Sequence, residues 1–331
     1  MYPIKFDTIY ISKPWGSRKL REFKPNLPKG IIGETWEISC HPENVSIIAN
    51  GQFKGMKLTD LIELEGQKLL GTKIESDWFP LMLRYVSAEE KLSIQVHPTD
   101  EFAHEKKEPM GKVEAWYILD AKEGAFLYAG VQTGDKTVLK RAALNGTIEN
   151  YLKKVYVEKG DVVFIPSGLI HAICEDVTLV ELCCNSNTTY RIYDYSRGRG
   201  LDLEYAFQVA DLKSTELITK GLETKRQGYT KSYLCLDKHF AWENYTIEQS
   251  LREKSDPERF YLFTCVEGNG RIIYNNTYES INSGETFLIP AQLGEYTFEG
   301  RMKVLKSYVP KLDNVREEIL REIEYGSQES K

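Results

Sequence analysis

Four residues of this chain have the donor chemistry of a divalent-metal site. Gln95 and His97 stand two apart in Leu92-Ser-Ile-Gln-Val-His-Pro98, Glu114 lies in Lys112-Val-Glu-Ala-Trp-Tyr117, and His171 ends Gly160-Asp-Val-Val-Phe-Ile-Pro-Ser-Gly-Leu-Ile-His171. Positions i and i+2 of a strand face one way, so Gln95 and His97 share a side. Two imidazoles and one carboxylate make a typical zinc catalytic set, with the amide oxygen as a fourth, weaker ligand. Iron, manganese or cobalt accept the same donors. Either histidine alone would read as an ordinary strand residue. The chain has only 5 histidines, however, and two of them fall beside Gln95 and Glu114 in this pattern. His41 and His104 sit in polar loops and His239 heads a strand outside the pattern, so these three are expected at the surface.

The elements that position these donors are legible in outline. Val162–Ile165 reads as a buried strand entering a turn at Pro166 and Gly168, with His171 delivered just beyond it. The spacing Gly-x5-Pro-x-Gly-x2-His resembles the second motif of the cupins, jelly-roll barrels that often hold a metal. Gly284-Glu-Thr-Phe-Leu-Ile-Pro-Ala-Gln-Leu-Gly-Glu295 echoes the stretch, with Gln292 for the second glycine and Glu295 for the histidine. A repeated unit is the signature of a duplicated fold. The expectation is therefore a mainly β protein of two cupin (double-stranded β-helix) barrels, the second without its metal ligand. The predicted division is a catalytic domain over 1–232, a metal-free cupin-like domain over 233–310 and a charged tail over 311–331. A small helical insertion is predicted at about 132–154, with breaks at Gly134 and Gly146. Apolar periodicity predicts a helix over 57–75 with Thr59 or Asp60 as cap, and a short terminal helix over Val315–Ile323. Residues 99–111 read as a surface loop or loose helix, and 196–232 as a connector with one short helix.

Composition bounds the function. At 331 residues, with 41% hydrophobic residues and a mean hydropathy of −0.42, the chain suits a globular protein of two or three units. A net charge of −6 argues against a nucleic-acid partner. The Met1 end lacks an apolar signal-peptide core, no run of eighteen apolar residues occurs, and no Lys/Arg-rich amphipathic stretch suggests a membrane surface. The six cysteines form no CxxC pair or zinc-finger spacing. A cytoplasmic protein with free thiols is expected.

The runs Leu92–Pro98, Gly111-Lys-Val-Glu-Ala-Trp-Tyr117, Gly160–His171 and Asn187-Thr-Thr-Tyr-Arg-Ile-Tyr-Asp194 resemble the class I (type I) mannose-6-phosphate isomerases, most closely the short bacterial branch. Trp15-Gly16 and Gly33-Glu-Thr-Trp36 match as well, so the likeness spans nearly the whole chain. The resemblance implies a zinc-dependent interconversion of mannose 6-phosphate and fructose 6-phosphate, with one Zn2+ per chain on Gln95, His97, Glu114 and His171. The partner is then a small-molecule sugar phosphate, and the chain a monomer or weak homodimer.

Aldose–ketose isomerisation moves a proton between C1 and C2 through a cis-enediol. It needs a base, an oxyanion stabiliser and a phosphate clamp. Arg191 is the cation best suited to the enediolate or the phosphate, since its charge is permanent and its donor fork planar. Ser93 alternates onto the face of Gln95 and His97 and is expected at the phosphate, together with Arg84, where the family more often carries lysine. Lys112 shares its side of the strand with Glu114 and matches a family active-site lysine. Glu181 matches a family carboxylate. Amid apolar neighbours it would have a raised pKa and serve as the base, or it would only orient Arg191 by an ion pair. Trp15, Tyr117 and Asp194 are further candidates for the pocket wall, and Cys183-Cys184 stands where relatives are usually polar. The alternative from another class is a metal-containing sugar-phosphate sensor that turns nothing over. Retention of Glu181, Arg191, Lys112 and all four ligands favours the enzyme. A cupin iron oxygenase is disfavoured because its usual His-x-His is Gln95-x-His97 here.

Overall fold

Alternating apolar and polar residues make strands the dominant regular structure, with 43% of residues against 17% in helices. The fold is thus mainly β and cupin-type. The structure is a computed structural model that describes residues 1–74 and 78–329. The described residues fall into two units, neither contiguous in sequence. A central unit takes Tyr10–Trp36 and Met82–Thr219, and a terminal unit takes Met1–Ile9, Glu37–Leu81 and Lys220–Lys331.

The central unit is built on two sheets. One runs Leu152–Tyr156, Phe126–Val131, His171–Ile173, Ile94–Val96, Tyr190–Tyr193 in spatial order. The other runs Leu217–Thr219, Val162–Ile165, Glu114–Ala121, Val177–Cys184, Leu81–Ala88, Glu34–Ile38, Ile9–Ile11. Trp116, Ile118 and Val163 of the second sheet pack with Leu127, Ala129 and Ile173 of the first to form an apolar core. Each such side chain, fully buried, contributes roughly 1.5–3 kcal/mol. The far face of the five-stranded sheet, Ile94, Val96, Ala172 and Ile192, is covered by Leu139, Ala142 and Ala143 of one helix and Ala206 and Phe207 of another. The metal-donor edge therefore rests on strands buried from both sides.

Local chemistry explains where the elements depart from the periodicity. The helix predicted over 132–154 is confined to Lys136–Leu144. Asp135 Oδ1 caps it by accepting from the Thr137 and Val138 amides, and Gly146 at φ +69° lies just past its end. Ile148–Tyr151 is a 3-10 turn, and Leu152–Tyr156 is a strand paired with Phe126–Val131. The predicted helix over 57–75 splits at Gly66 (φ +48°) into Leu58–Glu65 and Gln67–Leu70, and the cap is Lys57 rather than Thr59 or Asp60. Residue 75 lies outside the described residues. Residues 99–111 contain the helix Asp100–Glu105, capped by Thr99. The connector over 196–232 holds the expected short helix, Leu203–Val209, and also the strands Leu217–Thr219 and Leu222–Arg226. Their half-exposed faces carry no strong alternation.

The main sheet of the terminal unit runs in the order Ile4–Lys5, Thr286–Ile289, Tyr261–Tyr274, Glu295–Tyr308, Ala241–Ile247, Tyr229–Leu236, Leu222–Arg226. Ser250–Lys254 pairs with Glu295–Tyr308. The terminal helix is longer than its predicted span, running Leu312–Glu329, and residues 330–331 lie outside the described residues. No helix among the described residues is long and apolar enough to cross a membrane.

Candidate metal centre and substrate cavity

Strand register brings the four donors together. His171 opens its strand directly opposite Gln95, and Gln95 is in turn opposite Arg191 on its other side. His97 follows Val96 on the Gln95 face. Glu114 opens the facing sheet's Glu114–Ala121 strand, opposite Ile165 and Cys183. The donor atoms of His97, Glu114 and His171 lie within 4.8 Å of one another, all three buried, and among the described residues no other His/Cys/Asp/Glu group has metal-binding geometry.

The imidazole tautomers are fixed by their outer contacts. His97 Nδ1 is 2.8 Å from the Thr188 carbonyl and His171 Nδ1 is 2.9 Å from the Leu169 carbonyl. A carbonyl only accepts, so each Nδ1 carries the proton and each Nε2 offers a lone pair. Those Nε2 atoms lie 3.4 Å (His97) and 3.2 Å (His171) from the Glu114 carboxylate. Burial first, then the Lys112 ammonium, pushes His97 down to about 3, which keeps it the neutral ligand a metal needs. Burial alone would raise the Glu114 pKa; the Lys112 ammonium outweighs it and holds the carboxyl well below its usual range. Both Glu114 oxygens are nevertheless buried without a hydrogen bond of regular geometry. Gln95 completes the set with its amide 3.3 Å from His171 Nε2, and half a turn of that amide exchanges nitrogen for oxygen. Two neutral imidazoles, an ionised carboxylate whose Oε1 faces His171 and an amide fit a divalent ion.

Beside this centre lies a cavity of about 190 Å³. Its polar wall includes Ser93, Gln95, Lys112, Glu114 and Arg191, and its apolar wall includes Trp15, Leu92 and Trp116. Two larger hollows of about 480 and 490 Å³ lack such converging groups, so size does not locate the site. Arg191 donates from Nη1 to the Gly200 carbonyl at 3.2 Å, its buried Nε has no partner, and among the described residues no carboxylate pairs with it. It is a cation free for an anionic ligand. Ser93 Oγ lies 3.4 Å from Gln95 Oε1 on the shared face.

A chain of buried charges stands behind Glu114. Lys112 Nζ reaches Glu114 at 2.7 Å and Glu181 at 3.4 Å. Arg84 grips the same Glu181 oxygen from Nε at 2.8 Å and Nη2 at 2.5 Å, and its Nη1 lies 3.6 Å from Glu34. Burial opposes the charge of Arg84 and Lys112, but Glu181 and Glu34 outweigh it for the arginine, and Glu114 and Glu181 for the lysine; both are pushed up. For Glu34, burial is outweighed by Arg84 and then Lys13, and its pKa is lowered. Glu181 thus meets Arg84 and Lys112 rather than Arg191. Arg84 spends two donors on Glu181, and its Nη1 faces Glu34 and, at 3.4 Å, the Asn187 amide oxygen.

Several wall residues were not singled out from sequence: Lys13, Glu34, Asn187, Thr189 and Arg199. Glu34 lies in the matched run Gly33–Trp36, and Asn187 and Thr189 in the matched run Asn187–Asp194, which were the available signals. Of the other pocket candidates, Trp15 lines the cavity, and Asp194 holds the lining Arg199 at 2.8 and 2.5 Å. Tyr117 is buried but is not part of the wall. Cys183 and Cys184 are buried, and burial holds the Cys183 thiol protonated. Glu295, the echo of His171, is exposed and paired with Arg252 at 2.6 Å.

Comparisons with known proteins agree with this geometry. Residues 4–130 match the family model "Phosphomannose isomerase type I, catalytic domain", and 229–309 match "Mannose-6-phosphate isomerase, cupin domain". The putative mannose-6-phosphate isomerase YvyI of Bacillus subtilis is 32% identical, covering 93% of this chain and 99% of that protein. A mannose-6-phosphate isomerase of Streptococcus mutans is 31% identical over 92% and 98%. The crystal structure of the mannose 6-phosphate isomerase from Bacillus subtilis superposes with a TM-score of 0.86 at 31% identity, over 93% of this chain and 99% of that one.

Proposed function

The chain belongs to the mannose-6-phosphate isomerases, and from that premise we propose that it interconverts mannose 6-phosphate and fructose 6-phosphate at the His97–Glu114–His171 centre. The observation that carries the proposal is the convergence of two Nε2 lone pairs and an ionised carboxylate beside an arginine that has no carboxylate partner among the described residues. The proposed metal is zinc, one ion per chain, held by Gln95, His97, Glu114 and His171. When bound there it supplies Lewis acidity toward the sugar's carbonyl and hydroxyl oxygens.

The chain's own groups do the rest. A proton moves between C1 and C2 through a cis-enediol, which requires a group that takes the proton and returns it to the neighbouring carbon. Glu181 is the proposed carrier, its carboxylate fixed by the Arg84 fork and linked to the centre through Lys112. Lys112 holds Glu114 in place and donates toward the sugar oxygens. Arg191 stabilises the negative charge of the enediolate or of the phosphate. Ser93 binds the phosphate, and Arg84 contributes there through Nη1 only, because its other donors are engaged.

The proposed catalytic portion is 1–232, supported by site residues that run from Lys13 to Arg199. Residues 233–310 are the proposed metal-free partner, followed by the 311–331 tail. Six free cysteines support a cytoplasmic setting, and the proposed working form is a monomer or weak homodimer without nucleic-acid or membrane partners. A coupled assay over a panel of aldose phosphates and free sugars, before and after chelation, tests the proposal. Turnover of mannose 6-phosphate alone, lost on chelation and restored by zinc, is expected. Turnover of another sugar, or none, overturns it.

A further inference from the structure

We infer that the terminal unit carries a second small-molecule site, a polar cavity of about 310 Å³ that takes a neutral polyol of monosaccharide size. The inference starts from strand register. In the central unit Ile165 pairs with Glu114, and Trp116 pairs with Glu181. In the terminal unit Ile289 pairs with Tyr261, and Phe263 pairs with Lys306. The sequence echo that sets Gly160 against Gly284 sets Ile165 against Ile289. The same ladder positions that hold Glu114 and Glu181 in one unit therefore hold Tyr261 and Lys306 in the other. The metal donors are replaced, but the spot has not been filled with apolar side chains.

It is instead a buried cluster of charges and phenols. Among the described residues the enclosed Lys306 ammonium makes one hydrogen bond, to Glu253 Oε2 at 2.8 Å, leaving two of its three N–H groups unclaimed there. Tyrosine rings cage it, Tyr261 at 4.1 Å, Tyr245 at 5.8 Å and Tyr308 at 5.9 Å. Glu243 accepts from the Tyr308 and Tyr245 hydroxyls at 2.6 and 2.8 Å. The Tyr261 hydroxyl has no hydrogen bond among the described residues, and the Tyr296 hydroxyl nearby is buried without one. The terminal helix closes one side, with Glu318 bonded to Lys231 at 2.8 Å and to Tyr233 at 2.6 Å. The neighbouring interior is an ordinary apolar core of residues such as Phe263, Phe287 and Phe298. Replacing such a buried ionic cluster by well-packed apolar side chains is often neutral or stabilising. Fold stability alone thus does not account for keeping it.

The chemistry selects the ligand class. Each cation has its carboxylate: Lys306 with Glu253, Lys231 with Glu243 and Glu318, Arg259 with Asp256. Little net charge remains to draw an ion. Unclaimed N–H and O–H donors beside carboxylate oxygens match sugar hydroxyls, and tyrosine rings match the C–H face of a pyranose. The volume lies at the small end of ligand pockets.

Calorimetric titration of the full-length, metal-loaded protein with D-mannose, and separately with inorganic phosphate, tests this. Mannose binding is expected. Losing one hydrogen bond, in Tyr261→Phe, should weaken it about tenfold, and Lys306→Met should weaken it at least as much. Both variants should turn over mannose 6-phosphate within about twofold of wild type, and Arg191→Ala should bind mannose as wild type does. Tyr261→Phe removes only an unpartnered hydroxyl, so it decides the matter even if Lys306→Met fails to fold. No mannose binding, binding unchanged in Tyr261→Phe, binding lost in Arg191→Ala, or phosphate bound in place of mannose would each overturn the inference.

Discussion

The Arg84–Glu181 pair gives the sharpest energetic test of how the site is held. Both side chains are at least 93% buried, and the guanidinium reaches one carboxylate oxygen at 2.8 and 2.5 Å. Arg84→Met leaves Glu181 with only Lys112 at 3.4 Å and removes the nearest cation from Glu34. Breaking a buried pair from one side costs about 3–5 kcal/mol. Lys112 and Lys13 remain, so the low end, about 3 kcal/mol, is expected for this variant. At roughly 2–4 °C per kcal/mol for a unit of this size, the melting transition should fall by about 6–12 °C. Glu181→Gln strands Arg84 in the same way. The double variant, Arg84→Met with Glu181→Gln, strands neither group and should lose clearly less than the two single losses added together, by at least about 1 kcal/mol. Denaturant melts of the four proteins complete the cycle. Additive losses, with a coupling below about 0.5 kcal/mol, would refute the claim that Arg84 holds Glu181.

Three further outcomes follow from the same geometry. Arg191→Ala should lower turnover by about two to three orders of magnitude, the scale of losing a charge-stabilising donor, while zinc content by elemental analysis stays at the wild-type level. Near wild-type turnover would make Arg191 structural. Gly168 sits at φ +82° in the turn before His171, and an added Cβ would stand 3.0 Å from the Val209 carbonyl oxygen. Gly168→Ala should therefore cost about 1–3 kcal/mol and weaken zinc binding, whereas an unchanged melt would show that the turn tolerates a side chain. In the terminal unit, burial disfavours the charges of Lys306 and Lys231, but Glu253 and Glu243 outweigh it and raise both pKa values. The folded state then holds its protons above the pH at which the unfolded chain releases them. Their stabilisation is complete below the unfolded lysine value of about 10.4 and is lost as pH rises past it. Urea midpoints should fall above about pH 10, with a shallower slope in Lys306→Met; equal slopes would contradict this.

The site was largely legible because its chemistry is local in sequence. The i, i+2 rule placed Gln95 and His97 on one face, and the Pro166/Gly168 turn predicted where His171 emerges. The electrostatic scaffold was not, because Arg84 meets Glu181 across 97 positions and Glu34 across 50, and no short-range pattern announces such pairs. For the same reason Glu181 read as a carboxylate among apolar neighbours, when two cations face it. The helix at 132–154 was overextended because apolar positions continue past Gly146, where Ile148 belongs to a 3-10 turn and Leu152 to a strand. The Lys306 cluster escaped notice because Lys, Glu and Tyr in a strand ordinarily signal a solvated face, and only the register shows them turned inward.

Zinc titration of the chelated protein, with activity followed in the coupled assay, bears most directly on the metal centre. Activity should rise from zero in proportion to added zinc and saturate at one ion per chain, and His171→Ala should neither bind that ion tightly nor recover. Full activity in the metal-free protein, or unimpaired zinc activation of His171→Ala, would contradict a catalytic centre built from His97, Glu114 and His171.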